Sequence, residues 1–169
     1  MINHLIRSAL LSKLNNPRFA YIAPTFKQAK SIAWDYMKQF TAKIPHTKFN
    51  ETELRVDLPN GSRITLLGSE SPDGLRGIYL DGCVIDEYAN VNSKLFPEII
   101  RPALSDRKGY CVFIGTPMGM NNNFYELYQH AQGKEDWFNY KAKASDTNIV
   151  DEDELVKAKE VMGDKKYLQ

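Results

Sequence analysis

Two carboxylates stand side by side at the end of an apolar run, Asp86 and Glu87 in Cys83-Val84-Ile85-Asp86-Glu87. An acid at a strand end can hold Mg2+, usually through water, while a second acid beside it orients and polarises a water for attack on a γ-phosphate. The same pair could instead cap the next helix. Two features weigh toward chemistry. The letters before Asp86 are those of a central strand, and a second apolar run, residues 110–114, ends in the small turn Gly115-Thr116-Pro117, which could sense the same phosphate. Upstream, Arg76 lies in the glycine-flanked segment Gly74-Leu75-Arg76-Gly77. On loop composition alone it reads equally as a surface arginine and as a group that acts on a ligand.

The surrounding pattern supplies elements to position these residues. Ile2, Leu5, Ile6, Ala9, Leu10 and Leu14 recur at helical spacing, which predicts an amphipathic helix at the start. Residues 18–23 form a short apolar run between Pro17 and Pro24, as a buried strand does. Thr25 and Gln28 have capping-box spacing, and Ala29, Ile32, Ala33, Tyr36, Met37 and Phe40 supply the apolar face of the helix that follows. Leu54, Val56 and Leu58 alternate with polar residues, Asn60-Gly61 marks a tight turn, and Ile64 and Leu66 resume the alternation, so a β-hairpin is expected. Further on, residues 93–106 read as a helix that Pro97 and Pro102 shorten or kink, and residues 123–132 as a helix ended by Gly133. Residues 138–145 suggest a strand, and residues 151–169, acids first and lysines later, a solvated helix.

Strands alternating with helices predict an α/β domain with a largely parallel sheet, in which ligands gather at the carboxyl ends of the strands. That rule makes Pro24-Thr25, Asp86-Glu87 and Gly115-Thr116 neighbours in space. The chain's 169 residues, 43% hydrophobic, suit one domain. A formal net charge of +1 gives no broad electrostatic footprint for nucleic acid, so any DNA contact must be local. Cys83 and Cys111 sit in apolar runs without a CxxC pair, and His4, His46 and His130 are scattered, which argues for reduced buried thiols and against a histidine metal site. No apolar run is long enough to span a bilayer.

Taken in order, the segments at residues 21–30, 60–68, 74–77, 83–89 and 113–128 and the close at residues 164–169 resemble the ATPase domain of the large terminase subunit, the DNA-packaging motor of tailed bacteriophages. Each motif alone is weak, since acidic strand ends and Gly-Thr turns recur widely. Their order and spacing together are specific. The resemblance implies an ASCE-class P-loop NTPase fold, a mostly parallel sheet flanked by helices with a β-hairpin insertion. It implies ATP and Mg2+ as ligands, with residues 83–89 as the Walker B strand, Asp86 coordinating magnesium through water and Glu87 as catalytic base. Gly115 and Thr116 are similar to the coupling motif that links hydrolysis to movement, and Arg76 to the arginine that reaches a neighbouring subunit's site. The implied partners are double-stranded DNA, the small terminase subunit and the portal protein. The implied setting is a homo-oligomeric ring on the procapsid in the host cytoplasm, with no membrane.

One motif of that family is missing from these residues. The sequence contains no G-x-x-x-x-G-K-[ST] loop, whose backbone N–H groups and lysine would hold phosphates. In the family it precedes a helix like residues 1–11, so the expectation is a single partial ATPase domain over residues 1–169, truncated at the N-terminus and without the nuclease domain. Two other readings stay open: a helicase-like ATP-dependent translocase, and an inactive remnant that only binds DNA or protein.

Overall fold

The computed structural model describes residues 1–142 together with Asp151, Asp153, Glu154, Val156, Lys157 and Glu160. The chain divides into two compact units, Met1–Gly115 and Thr116–Gln169.

The first unit is built on a six-stranded sheet of order β2-β3-β4-β1-β5-β6. Its strands are β1 (Arg18–Ala23), β2 (Lys48–Asn50), β3 (Arg55–Asp57), β4 (Arg63–Gly68), β5 (Gly82–Ile85) and β6 (Tyr110–Phe113). Strands β4, β1, β5 and β6 run parallel, and β2 and β3 join antiparallel. The expected hairpin is β3–β4, with Val56 opposite Ile64 and Gly61 at φ 83 in the turn. Strand β2 was not anticipated, because its three residues expose two side chains and show no apolar alternation.

Period-2 alternation gives the sheet two apolar faces. Phe19, Tyr21, Val56, Ile64, Leu66 and Val84 pack in one core with Leu5, Ile6 and Ala9 of helix α1 (Ile2–Leu11). Each such side chain, fully buried, contributes about 1.5–3 kcal/mol of transfer free energy. The hairpin turn also anchors α1: Asn60 Nδ2 and Ser62 Oγ donate to the Ala9 carbonyl at 2.8 and 2.7 Å, satisfying an acceptor the helix end cannot pair itself. On the opposite face, Phe113 meets Tyr88 and Phe96 edge-on at 4.8 and 4.7 Å.

The helix after β1 differs in one instructive way. Thr25 caps it by accepting from Gln28 N at 3.1 Å, as the capping box predicts. It then runs as α2 (Phe26–Ala29), a π-helical turn (Lys30–Trp34) and α3 (Asp35–Thr41). The wide turn inserts an extra residue and rotates the buried stripe. Ala29, Ala33 and Met37 are buried as expected, but Trp34 and Thr41 join them, while Ile32, Tyr36 and Phe40 of the expected face are exposed. A second π-helical segment (Leu95–Ile100) leads into α4 (Arg101–Ser105), so the proline-bearing stretch is helical with its irregular turn where Pro97 and Pro102 remove donors.

In the second unit, α5 (Asn123–Ala131) starts at Asn122, whose side chain accepts from Phe124 N and Tyr125 N. Gly133 follows at φ 70, the glycine stop read from the sequence. Residues 138–142 are irregular rather than the start of a strand, and the rest of that expected strand lies outside the described residues. Of the closing helix, Asp153, Glu154, Val156, Lys157 and Glu160 are helical, and its remainder lies outside the described residues.

Candidate functional site

Strand β5 lies between β1 and β6, and all three run parallel, so their carboxyl ends reach one edge of the sheet. The register puts Tyr21 opposite Val84 on adjacent strands. Asp86 follows Val84 by one full period, so its side chain points to the face covered by α1. The backbone there is tied on both sides: Asp86 N donates to the Ile22 carbonyl at 2.8 Å and Tyr88 N to the Ile114 carbonyl at 3.0 Å.

The Asp86 carboxylate is held by neutral donors. Oδ1 accepts from Glu87 N at 2.9 Å, and Oδ2 accepts from the Tyr21 hydroxyl. Burial, followed by that bond to Asp86, raises the Tyr21 phenol well above its ordinary value, so it stays a donor. No lysine or arginine among the described residues pairs with Asp86, and its negative charge is left for a ligand to meet. Glu87 occupies the left-handed region at φ 48, ψ 46. A non-glycine residue there is strained, and such strain gathers where a side chain must be aimed. Its carboxylate accepts no hydrogen bond from another described residue.

Gly115 closes the site from β6. A Cβ on it would lie 3.2 Å from Tyr88 N and 3.3 Å from Glu87 Cα, so a side chain here would press on the backbone that carries Glu87. Thr116 is exposed and begins the second unit. Arg76 stands elsewhere, after the short 3-10 turn Pro72–Leu75, where it pairs with Asp73 at 2.8 Å and Glu98 at 3.4 Å and with neither Asp86 nor Glu87. Thr25 is engaged as a helix cap.

An open cleft of about 320 Å³ faces Asp86. Its wall is formed by Met1, Ile2 and Asn3 at the amino end of α1, by Tyr21 and Ile114, and by Ile32, Tyr36 and Phe40, the side chains the π-helical turn leaves uncovered. Among the described residues no side chain caps that helix end. A helix amino end attracts an anion and an unpaired carboxylate a cation. A phosphate carrying a divalent cation satisfies both across one cleft, so the donor set fits Mg2+ and a nucleotide's phosphates. Tyr21 is the site residue that sequence reading missed. Its signal was a tyrosine in an otherwise apolar buried strand, since a buried hydroxyl needs a partner.

The family model for the N-terminal part of the T4-like-virus-type terminase large subunit matches residues 6–163. The terminase large subunit of Thermus phage G20c is 30% identical over 126 residues, covering 63% of this chain and 26% of the relative. The counterpart from Thermus virus P23-45 gives the same identity and coverage. The chain thus spans about a quarter of the length of these curated relatives. Among solved structures, an ATPase-domain mutant of the Thermus phage P74-26 large terminase aligns with a TM-score of 0.57 at 25% identity, covering 79% of this chain and 58% of that one. The large terminase of another thermophilic bacteriophage, solved with ADP, reaches a TM-score of 0.74 at 15% identity over 98% of this chain and 42% of that one, and shares the fold alone. The mostly parallel sheet flanked by helices is therefore the P-loop ASCE fold of terminase ATPase domains, and the chain belongs to the terminase large subunit family.

Proposed function

We propose that this chain is the part of an ATP-hydrolysing motor that carries the Walker B strand, and that the complete protein drives double-stranded viral DNA into procapsids. The observation that carries this reading is the shared cleft: the amino end of α1 and Asp86, for which the described residues supply neither a side-chain cap nor a lysine or arginine partner, face the same space. Bound Mg2+ would draw charge from the phosphate oxygens there. Asp86 would hold that ion, its oxygens oriented by the Glu87 amide and the Tyr21 hydroxyl. Glu87 takes the proton from the attacking water; among the described residues no partner occupies its carboxylate, and its left-handed backbone conformation sets its direction. Gly115 keeps the end of β6 tight against Glu87, and Thr116, next in the chain, couples the γ-phosphate to movement. Arg76 acts in trans. Its partners Asp73 and Glu98 are exposed acids that a neighbour's phosphate can outcompete, as expected of surface pairs. The assembly we infer is a ring in the host cytoplasm, with the small terminase subunit and portal protein as partners.

The complexes of that thermophilic bacteriophage terminase with ADP and with ATP-gamma-S support the ligand class by fold alone. By this reading residues 1–169 alone turn over no ATP, because they include no phosphate-binding loop with its lysine. Supplying such a loop segment ahead of Met1 restores turnover. In that loop-bearing polypeptide, Glu87→Gln lowers hydrolysis about 100-fold or more while nucleotide affinity is retained. Asp86→Asn instead weakens Mg2+-dependent nucleotide binding. Isothermal titration beside a phosphate-release assay separates the two. Glu87-dependent turnover from residues 1–169 alone, or two variants that alter affinity equally and leave turnover intact, counts against the assignment.

A further inference from the structure

The Asp86 carboxylate has about four lone-pair positions. Two are taken inside the protein, by Glu87 N–H on Oδ1 and by the Tyr21 hydroxyl on Oδ2. Tyr21 is 2% exposed, and its ring is locked in the core beside Val84, so the hydroxyl approaches Asp86 from a fixed direction. Both residues line the cleft, and no other hydrogen bond among the described residues takes the remaining lone pairs. The donor's chemistry matters as much as its position. A lysine or arginine at this point would orient the carboxylate and also cancel its charge, competing with any cation. A phenol orients without neutralising.

We propose that Tyr21 is a positioning residue for the divalent cation at Asp86: it fixes the carboxylate rotamer and keeps the free lone pairs aimed into the cleft. The proposal rests on the reading of Asp86 as the magnesium residue. Partners of this kind, bonded to the group that holds the ion, set affinity through that group's orientation. If the bond served only to satisfy a buried hydroxyl, its loss would change folding stability and nothing that depends on the ion.

The test uses the loop-bearing polypeptide, with Mn2+ as the probe. Mn2+ affinity in the presence of ADP is read by electron paramagnetic resonance, and ADP affinity in EDTA by calorimetry. Tyr21→Phe keeps the ring and removes the hydroxyl. It should weaken Mn2+ binding about 10-fold and leave ADP affinity in EDTA unchanged. It should add little to the loss already caused by Asp86→Asn. Wild-type Mn2+ affinity in Tyr21→Phe, with Asp86→Asn clearly weakened, overturns the role of Tyr21 and leaves the function reading standing. Wild-type affinity in Asp86→Asn sinks both. Should Tyr21→Phe not fold, 3-fluorotyrosine at position 21 decides: its 19F resonance should move when Mg2+ and ADP are added, and a resonance that stays put overturns the proposal.

Discussion

Strand β5 has an aspartate at each end, and the two are treated oppositely. Asp81, at the amino end, has a side chain only 3% exposed and is bound by the Arg107 guanidinium at 2.6 Å and by Arg18 N at 2.7 Å. The Arg107 and Arg18 guanidiniums in turn lie over the Tyr79 ring, 5.1 and 5.8 Å from its centre. Asp86, at the carboxyl end, is bound among the described residues only by a phenol and an amide. The cleft at the Asp81 end is the larger, about 430 Å³ against about 320 Å³. Size therefore does not pick out the site. A carboxylate whose charge is cancelled within the chain is a clasp, and one whose charge is oriented but uncancelled is prepared for a ligand.

The same contrast divides the arginines and gives the largest expected effect. Arg107 is held by a buried acid and a ring, whereas Arg76 is held by two exposed acids. Arg76→Ala should leave the melting temperature unchanged and lower ring ATPase turnover by about 10³ to 10⁵, the range for an arginine acting on a transferred phosphoryl group. Mixing Arg76→Ala with Glu87→Gln subunits should recover part of the activity, because a subunit lacking its base can still lend its arginine to one that has the base. Sedimentation must first establish that mixed rings form. Assembled mixed rings with no recovery at any ratio would rule out action in trans.

Arg107→Ala sharpens the other half. It leaves a buried carboxylate with the Arg18 amide but no paired cation, and breaking a buried pair costs up to about 3–5 kcal/mol. Chemical denaturation should show that loss, while Mn2+ affinity at Asp86, measured on the fraction that stays folded, is unchanged. An Arg107→Ala protein of normal stability would mean that Asp81 is not a clasp, and the comparison would fail at its structural end.

Much of this was legible in the sequence where local chemistry decides. The β3–β4 hairpin followed from alternation around Asn60-Gly61, the cap at Thr25 from its spacing to Gln28, and the end of α5 from Gly133. What was not legible depended on the backbone departing from its ideal period. Nothing in residues 26–41 signals the π-helical turn at Lys30–Trp34, so Ile32, Tyr36 and Phe40 were expected in the core and instead wall the cleft. Pairing across strands is likewise invisible to a linear reading: Tyr21 and Asp86 meet only because the parallel register sets Tyr21 beside Val84. The division of the two aspartates belongs to the same class. Both flank one apolar strand, and only the fold brings Arg107 to Asp81 and gives Asp86 no cation among the described residues.

The smallest effect expected is at Gly115, where geometry and chemistry can be separated. The chain passes Tyr88 N and Glu87 Cα so closely that an alanine Cβ would sit at 3.2 and 3.3 Å from them, tighter than ordinary contact. Gly115→Ala must therefore displace the Glu87 backbone slightly or shift β6 away from it, at a cost of about 1 kcal/mol, the low end for overpacking. Asp86 is anchored independently, through its amide to Ile22 and its carboxylate to Tyr21, so its orientation should survive. The expected signature is a split: turnover in the loop-bearing polypeptide falls roughly 10-fold, less than the about 100-fold that a full ångström of misplacement costs, while Mn2+ affinity stays within error. Equal losses of turnover and Mn2+ affinity would show that Gly115 bears on both acids together, and that β6 sets the whole carboxyl end of β5 rather than the aim of Glu87.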